Sequence, residues 1–163
     1  MRHVICAIVE NKSGVLAHIA GLFSSRGFNI DSLTVGRTED PNLSRMTIVT
    51  EGDEAILEQI RKQLGKVIDV IRVMDFSGRD LVQRDLALVK VNTPPGKRPE
   101  IVGLVDVFRG KVVDISQNDM VIELSGPEAK VEAFADMMRP FGIKEMVRTG
   151  VVALVRGEKN SKG

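Results

Sequence analysis

Glu10-Asn-Lys-Ser-Gly-Val-Leu-Ala-His-Ile-Ala-Gly-Leu-Phe-Ser-Ser-Arg-Gly-Phe-Asn-Ile-Asp-Ser-Leu33 leads out of one strand, through a helix and into a second strand. Residues 3–10 form an apolar run that ends at this polar, glycine-bearing turn. Val15, Ile19, Leu22 and Phe23 then recur at helical spacing until Arg26-Gly27, where the glycine supplies a C-terminal stop. Residues 28–35 read as the second strand. The turn contains no nucleophile and no metal-ligand set, so it reads as a sensor site rather than a catalytic one.

Working outward, residues 36–44 read as a hairpin loop around Asp40-Pro-Asn, followed by a strand at 45–50. Asp53 is placed to cap a helix with Ile56, Ile60 and Leu64 inward, and residues 67–76 close the unit as a strand. Residues 77–83 read as a linker. The same order then returns without clear sequence repetition. It comprises a strand at 86–91, a helix after Pro99 with Ile101, Leu104, Val105 and Phe108 inward, and a stop at Gly110. Two strands flank the turn Ser116-Gln-Asn-Asp119, and Pro127 opens a helix with Val131, Phe134, Ala135 and Met138 inward. Residues 142–155 return as one strand. The expected class is α+β, with two ferredoxin-like βαββαβ domains at 1–76 and 84–163. Helices should cover one face of each sheet, so the other face calls for dimerisation or for contact between the halves.

Composition narrows the function. Of 163 residues, 43% are hydrophobic and 28% charged, the balance of a chain that builds a core. With 4% aromatics and neither Trp nor Tyr, stacking on nucleic-acid bases is not expected. A net charge of +1 gives no field to attract nucleic acid or anionic lipid, and the basic tail 156–162 reads as a solvated terminus. The single Cys6 lies in an apolar run and reads as a core thiol. No apolar run is long enough to span a membrane and Met1-Arg-His begins no secretory signal, so a cytoplasmic location is expected.

The chemistry of the opening turn is that of a helix N-terminus. Unpaired backbone NH groups and the positive end of the helix dipole together hold a carboxylate or phosphate. A capping box would place Glu or Gln three residues after Ser13, and that residue is Leu16, so the donors are not all claimed internally. Gly14 permits close approach to the backbone, and Asn11 adds an amide that donates and accepts. Asn29, beyond the far end of the helix, cannot easily share a ligand with Gly14 in one monomer. On the residues alone, a plain turn closed by Asn11 and Ser13, with Gly14 present for geometry, stands as the alternative.

Residues 10–33, with Ser32-Leu-Thr-Val35 and Leu43-Ser-Arg-Met-Thr47, resemble the N-terminal ACT domain of the acetolactate synthase (acetohydroxyacid synthase) small regulatory subunit family. Leu88-Val-Lys-Val91, Phe108-Arg-Gly-Lys-Val-Val-Asp-Ile115, Arg148-Thr-Gly150 and Arg156-Gly157 are similar to that family's C-terminal domain. The resemblance implies a homodimer whose ACT domains pair side by side and bind a branched-chain amino acid, usually valine, between subunits. It places Asn11, Gly14, Val15 and Leu16 of one chain at the ligand's carboxylate and side chain, and Asn29 and Ile30 of the other chain opposite them. It further implies a large catalytic partner that carries thiamine diphosphate, magnesium and FAD, with no cofactor in this chain. Phe28, Asp31 and Gly36 replace the Tyr, Glu and Ala common in the family. None of these removes an implied contact, and they leave the effector open among valine, leucine and isoleucine.

The remaining signals have plain readings. His18 reads as a helix-surface histidine and His3 as the start of a strand. Glu51, Asp53 and Glu54 read as a helix cap, and Gly96-Lys97-Arg98 as a solvated turn. No catalytic set and no metal site is expected. The expected function is regulation of the catalytic subunit, activating it and mediating valine feedback inhibition. A stand-alone ACT-type sensor acting on another protein or a transcription factor is the alternative.

Overall fold

The computed structural model describes residues 1–157 of the chain, so the end of the basic tail lies outside the described residues. Two compact units are present among the described residues, one formed by Met1–Val82 with residues 153–157 and one by Gln83–Val152.

The first unit runs β1 (Arg2–Glu10), α1 (Val15–Ser25), β2 (Ile30–Arg37), β3 (Leu43–Glu51), α2 (Glu54–Gly65) and β4 (Val70–Asp75), with strand order β2-β3-β1-β4. Apolar periodicity explains its packing. Val15, Ile19 and Phe23 of α1 and Leu57, Ile60 and Leu64 of α2 are buried on Ile5, Ala7, Val9, Met46 and Ile48 of the central strands. Each such side chain contributes about 1.5–3 kcal/mol. Asp53 caps α2, its carboxylate accepting from the Ile56 amide at 2.9 Å, worth about 1 kcal/mol. The opposite face is covered too, since Val4, Cys6, Thr47 and Val49 are buried there. The Arg45 guanidinium, on that face, donates to the Ala153 carbonyl at 2.9 Å. Burial pushes the Cys6 thiol up, and the charges of Arg45 and Arg72 oppose that shift.

The second unit runs β5 (Leu81–Asn92), α3 (Arg98–Val107), β6 (Lys111–Ile115), β7 (Asp119–Gly126), α4 (Glu128–Met138), a short 3₁₀ turn (Arg139–Phe141) and β8 (Ile143–Arg148), in order β6-β7-β5-β8. Val131, Phe134, Ala135 and Met138 of α4 are buried as their spacing indicates, and Phe134 meets Phe108 edge-on at 5.3 Å. Both units thus have the βαββαβ order.

Local differences from the sequence reading have physical causes. The stretch 142–155 is two strands, because the chain turns at Gly150 (φ 91°) before β9 (Val152–Val155), which pairs with β5. The left-handed residue after α3 is Arg109 (φ 56°), not Gly110. Gly110 is needed for space instead, since a Cβ there would meet the Glu123 carbonyl at 3.3 Å. The β2–β3 loop is shorter than residues 36–44, because Gly36 and Arg37 pair with Arg45 and Ser44. β5 begins at Leu81, five residues earlier than its apolar core at 86–91.

Candidate functional site

Gly14 precedes α1 in the left-handed conformation (φ 88°), and no side chain caps the helix. A side chain at this position would be strained, yet a Cβ there would have nothing within 4 Å, so the space above the helix start is open. The amides of Val15 and Leu16 belong to the first turn, which has no intrahelical acceptors. No acidic residue occupies that turn. Val15 is buried in the core, whereas Leu16 is 46% exposed and offers apolar surface beside these donors. Asn11 is held by two hydrogen bonds, its backbone amide to the Asn42 carbonyl at 2.8 Å and its side-chain amide to the Pro41 carbonyl at 3.0 Å. Nearby Lys12 pairs with Asp69 at 2.7 Å and Glu10 at 3.1 Å, and the hydrogen bonds to these two raise its pKa. The local ammonium is therefore already engaged, and the donors left for a ligand are backbone amides.

Asn29 and Ile30 lie elsewhere. The Asn29 amide donates to Asp31 at 2.7 Å, and its carbonyl accepts from the Thr50 hydroxyl at 2.6 Å. Ile30 is partly buried against the core. Register gives the separation. Glu10, just before Asn11, pairs with Leu43 at one end of β3, and Ile30 pairs with Thr50 at the other. Seven residues of strand span roughly 24 Å. One chain brings Asn11, Gly14, Val15 and Leu16 together and leaves Asn29 and Ile30 at the far end of the sheet.

His18 is exposed and lines a shallow cleft of about 360 Å³ with Leu22, Gln63 and Ile68. Among the described residues, no group of three His, Cys, Asp or Glu side chains is placed to hold a metal ion. No described helix is long and apolar enough to cross a membrane. His3, which its position in the sequence left without meaning, is 1% exposed and ties two loops together. Its ring nitrogens lie 3.1 Å from the Ser77 hydroxyl and 3.0 Å from the Gly52 carbonyl.

Residues 5–72 match the family described as AHAS small subunit-like ACT domain, and residues 84–157 match the one described as small subunit of acetolactate synthase. The chain is 55% identical to the "Probable acetolactate synthase small subunit" of Archaeoglobus fulgidus, over 98% of this chain and 99% of that protein. It is 46% identical to the acetolactate synthase small subunit of Bacillus subtilis, over 96% of this chain and 92% of that protein. The crystal structure of the acetolactate synthase small subunit of Thermotoga maritima superposes with a TM-score of 0.90 at 41% identity, covering 98% of this chain and 99% of that one. With matches across both units and near-complete coverage of its relatives, this chain belongs to the acetolactate synthase small-subunit family, with an ACT domain at its N-terminus.

Proposed function

We propose that this chain is a non-catalytic regulatory subunit that binds the large acetolactate synthase subunit, raises its activity and transmits feedback inhibition by valine. Thiamine diphosphate, magnesium and FAD belong to the partner. In this reading residues 1–76 sense the effector and form the dimer, residues 77–83 link the halves, and residues 84–163 form the second regulatory domain.

The observation that carries the sensor half is the position of β2. This strand lies at the outer edge of its sheet, the position from which a second chain can extend it. Arg37, at the end of β2, pairs with Ser44, which also pairs with Val9, so β2 finishes at the end of the sheet where Asn11 and Gly14 stand. Antiparallel pairing of two β2 edges about a two-fold axis sets the start of one β2 beside the end of the other. Asn29 and Ile30 of one chain then face Asn11, Gly14, Val15 and Leu16 of its neighbour, the arrangement one monomer forbids. The ligand carboxylate meets the open first turn of α1. Its isopropyl group packs on Leu16 and Ile30, a burial worth about 1.5–3 kcal/mol. Because the ligand bridges two chains, its binding free energy biases how they pack.

Calorimetry with valine on the isolated chain tests the sensor, and absence of binding by valine, leucine and isoleucine at millimolar concentration defeats it. Acetolactate formation by the large subunit with and without this chain tests the activator role, which an unchanged rate overturns.

A further inference from the structure

A cleft of about 740 Å³ at the β4 edge of the first unit is lined by four arginines, Arg45, Arg61, Arg72 and Arg79, with Asp75 as its one carboxylate. Strand register creates half of this convergence. Ile8 pairs with Arg45 on one side and with Arg72 on the other, so two guanidinium stems rise from one face of the sheet roughly 10 Å apart. Arg45 is held in place, donating to the Ala153 carbonyl and lying 5.8 Å over the Phe76 ring. Arg61 meets Glu58 at 3.6 Å. Asp75 accepts from the Ser77 amide at 2.9 Å. Among the described residues, Arg72 and Arg79 have no ion-pair partner.

Several cations elsewhere sit against carboxylates, Lys12 against Glu10 and Asp69, Lys144 against Asp119, Arg148 against Asp85 and Arg156 against Asp80, whereas the cleft gathers four arginines around one carboxylate. Like charges gathered in a recess repel one another, and a bound polyanion relieves that repulsion through charge-assisted, forked hydrogen bonds. The volume falls within the range of small-molecule sites. It exceeds what a single phosphate needs.

We propose that this cleft binds a small phosphate polyanion bearing at least two phosphoryl groups, held by Arg72 and Arg79 at its mouth and by Arg45 behind them. It lies on the opposite sheet edge from β2 and is independent of the valine reading.

Titration calorimetry on the full chain with pyrophosphate, in low salt, tests this. Saturable binding is expected, weakened about tenfold or more by Arg72→Gln and by Arg79→Gln, and unchanged in Arg84→Gln, which lies outside the cleft. An ADP arm separates sources: affinity equal to that of pyrophosphate assigns the site to free diphosphate, and tighter binding assigns it to a nucleoside diphosphate. Absence of pyrophosphate binding at millimolar concentration, equal affinity in the variants, or binding of an oligoglutamate peptide alone overturns the proposal. Valine titrations of the same variants remain as in the unmodified chain, so failure here is distinct from failure of the sensor site.

Discussion

Arg148 donates from Nε, at 2.8 Å, and from Nη2 to the same oxygen of Asp85, whose second oxygen is buried without a hydrogen-bond partner. Asp85 is 2% exposed, and the same guanidinium reaches Glu132 on α4. Burial works against the arginine's charge, but its bonds to Glu132 and Asp85 outweigh that and raise its pKa above the usual value. Removing the cation leaves a buried carboxylate with nothing to balance it. Arg148→Met should therefore destabilise the second unit by about 3 kcal/mol or more. The double variant Asp85→Leu with Arg148→Met should recover part of that loss. Urea denaturation of the three chains checks this, and a double variant less stable than Arg148→Met would contradict it.

His3 offers a second stability test. One ring nitrogen faces the Gly52 carbonyl and the other the Ser77 hydroxyl, so the ring ties the loop before α2 to the segment after β4. His3→Leu keeps apolar bulk but leaves the partly buried Gly52 carbonyl and Ser77 hydroxyl without their ring partner. A loss of about 1–3 kcal/mol is expected. Thermal melts of the variant at fixed protein concentration measure it, and an unchanged melting temperature would show the two contacts to be dispensable.

These two residues also mark where sequence reading stops. The spacing of Val15, Ile19 and Phe23, the cap at Asp53 and the inward set on α4 were legible because each depends on neighbours within one or two turns. The partners of His3 are 49 and 74 residues away, and nothing local to His3 announces them. The arginine cleft was equally hidden. Arg45 and Arg72 meet only through their common pairing with Ile8, which needs strand order as well as strand position. Residues 142–155 read as one strand because β-branched Ile143, Val147, Thr149, Val151, Val152 and Val155 are spread along the whole stretch, while the left-handed φ at Gly150 divides it. Of the candidate site, the open helix start at Gly14 was legible from residue types, but its cross-chain completion came from family resemblance.

The β6–β7 turn should show in the acid limb of stability. The Ser116 hydroxyl donates to Asp119 at 2.7 Å and Lys144 donates to its other oxygen at 3.0 Å, bonds that lower the Asp119 pKa below 3.8. A carboxyl lowered in the folded state contributes stability above its unfolded value and loses it as pH falls through the folded one. Asp119→Asn should be less stable than the unmodified chain at neutral pH, with the two curves converging in acid. Denaturation midpoints measured from neutrality to below pH 3.8 test this. A constant gap across that range would remove Asp119 from the account.

The strongest test of the cross-chain effector site is complementation. Gly14→Asp sets a carboxylate at the open helix start, where it competes for the amides a ligand needs. The space there is free, so the fold bears only the strain of a left-handed aspartate, about 1 kcal/mol. Asn29→His alters the opposing wall at an exposed position. Each variant alone should lose valine binding, because both sites of either homodimer contain one altered half. In a mixed dimer the two lesions fall together in one site. The other is then built from an intact Asn11-to-Leu16 segment and an intact Asn29-Ile30 pair. Co-expressed, differently tagged variants purified as heterodimers should therefore bind one valine per dimer with the affinity of the unmodified protein. A site contained within a single chain predicts no binding in the mixture, so loss of binding in the heterodimer would overturn the shared-site assignment.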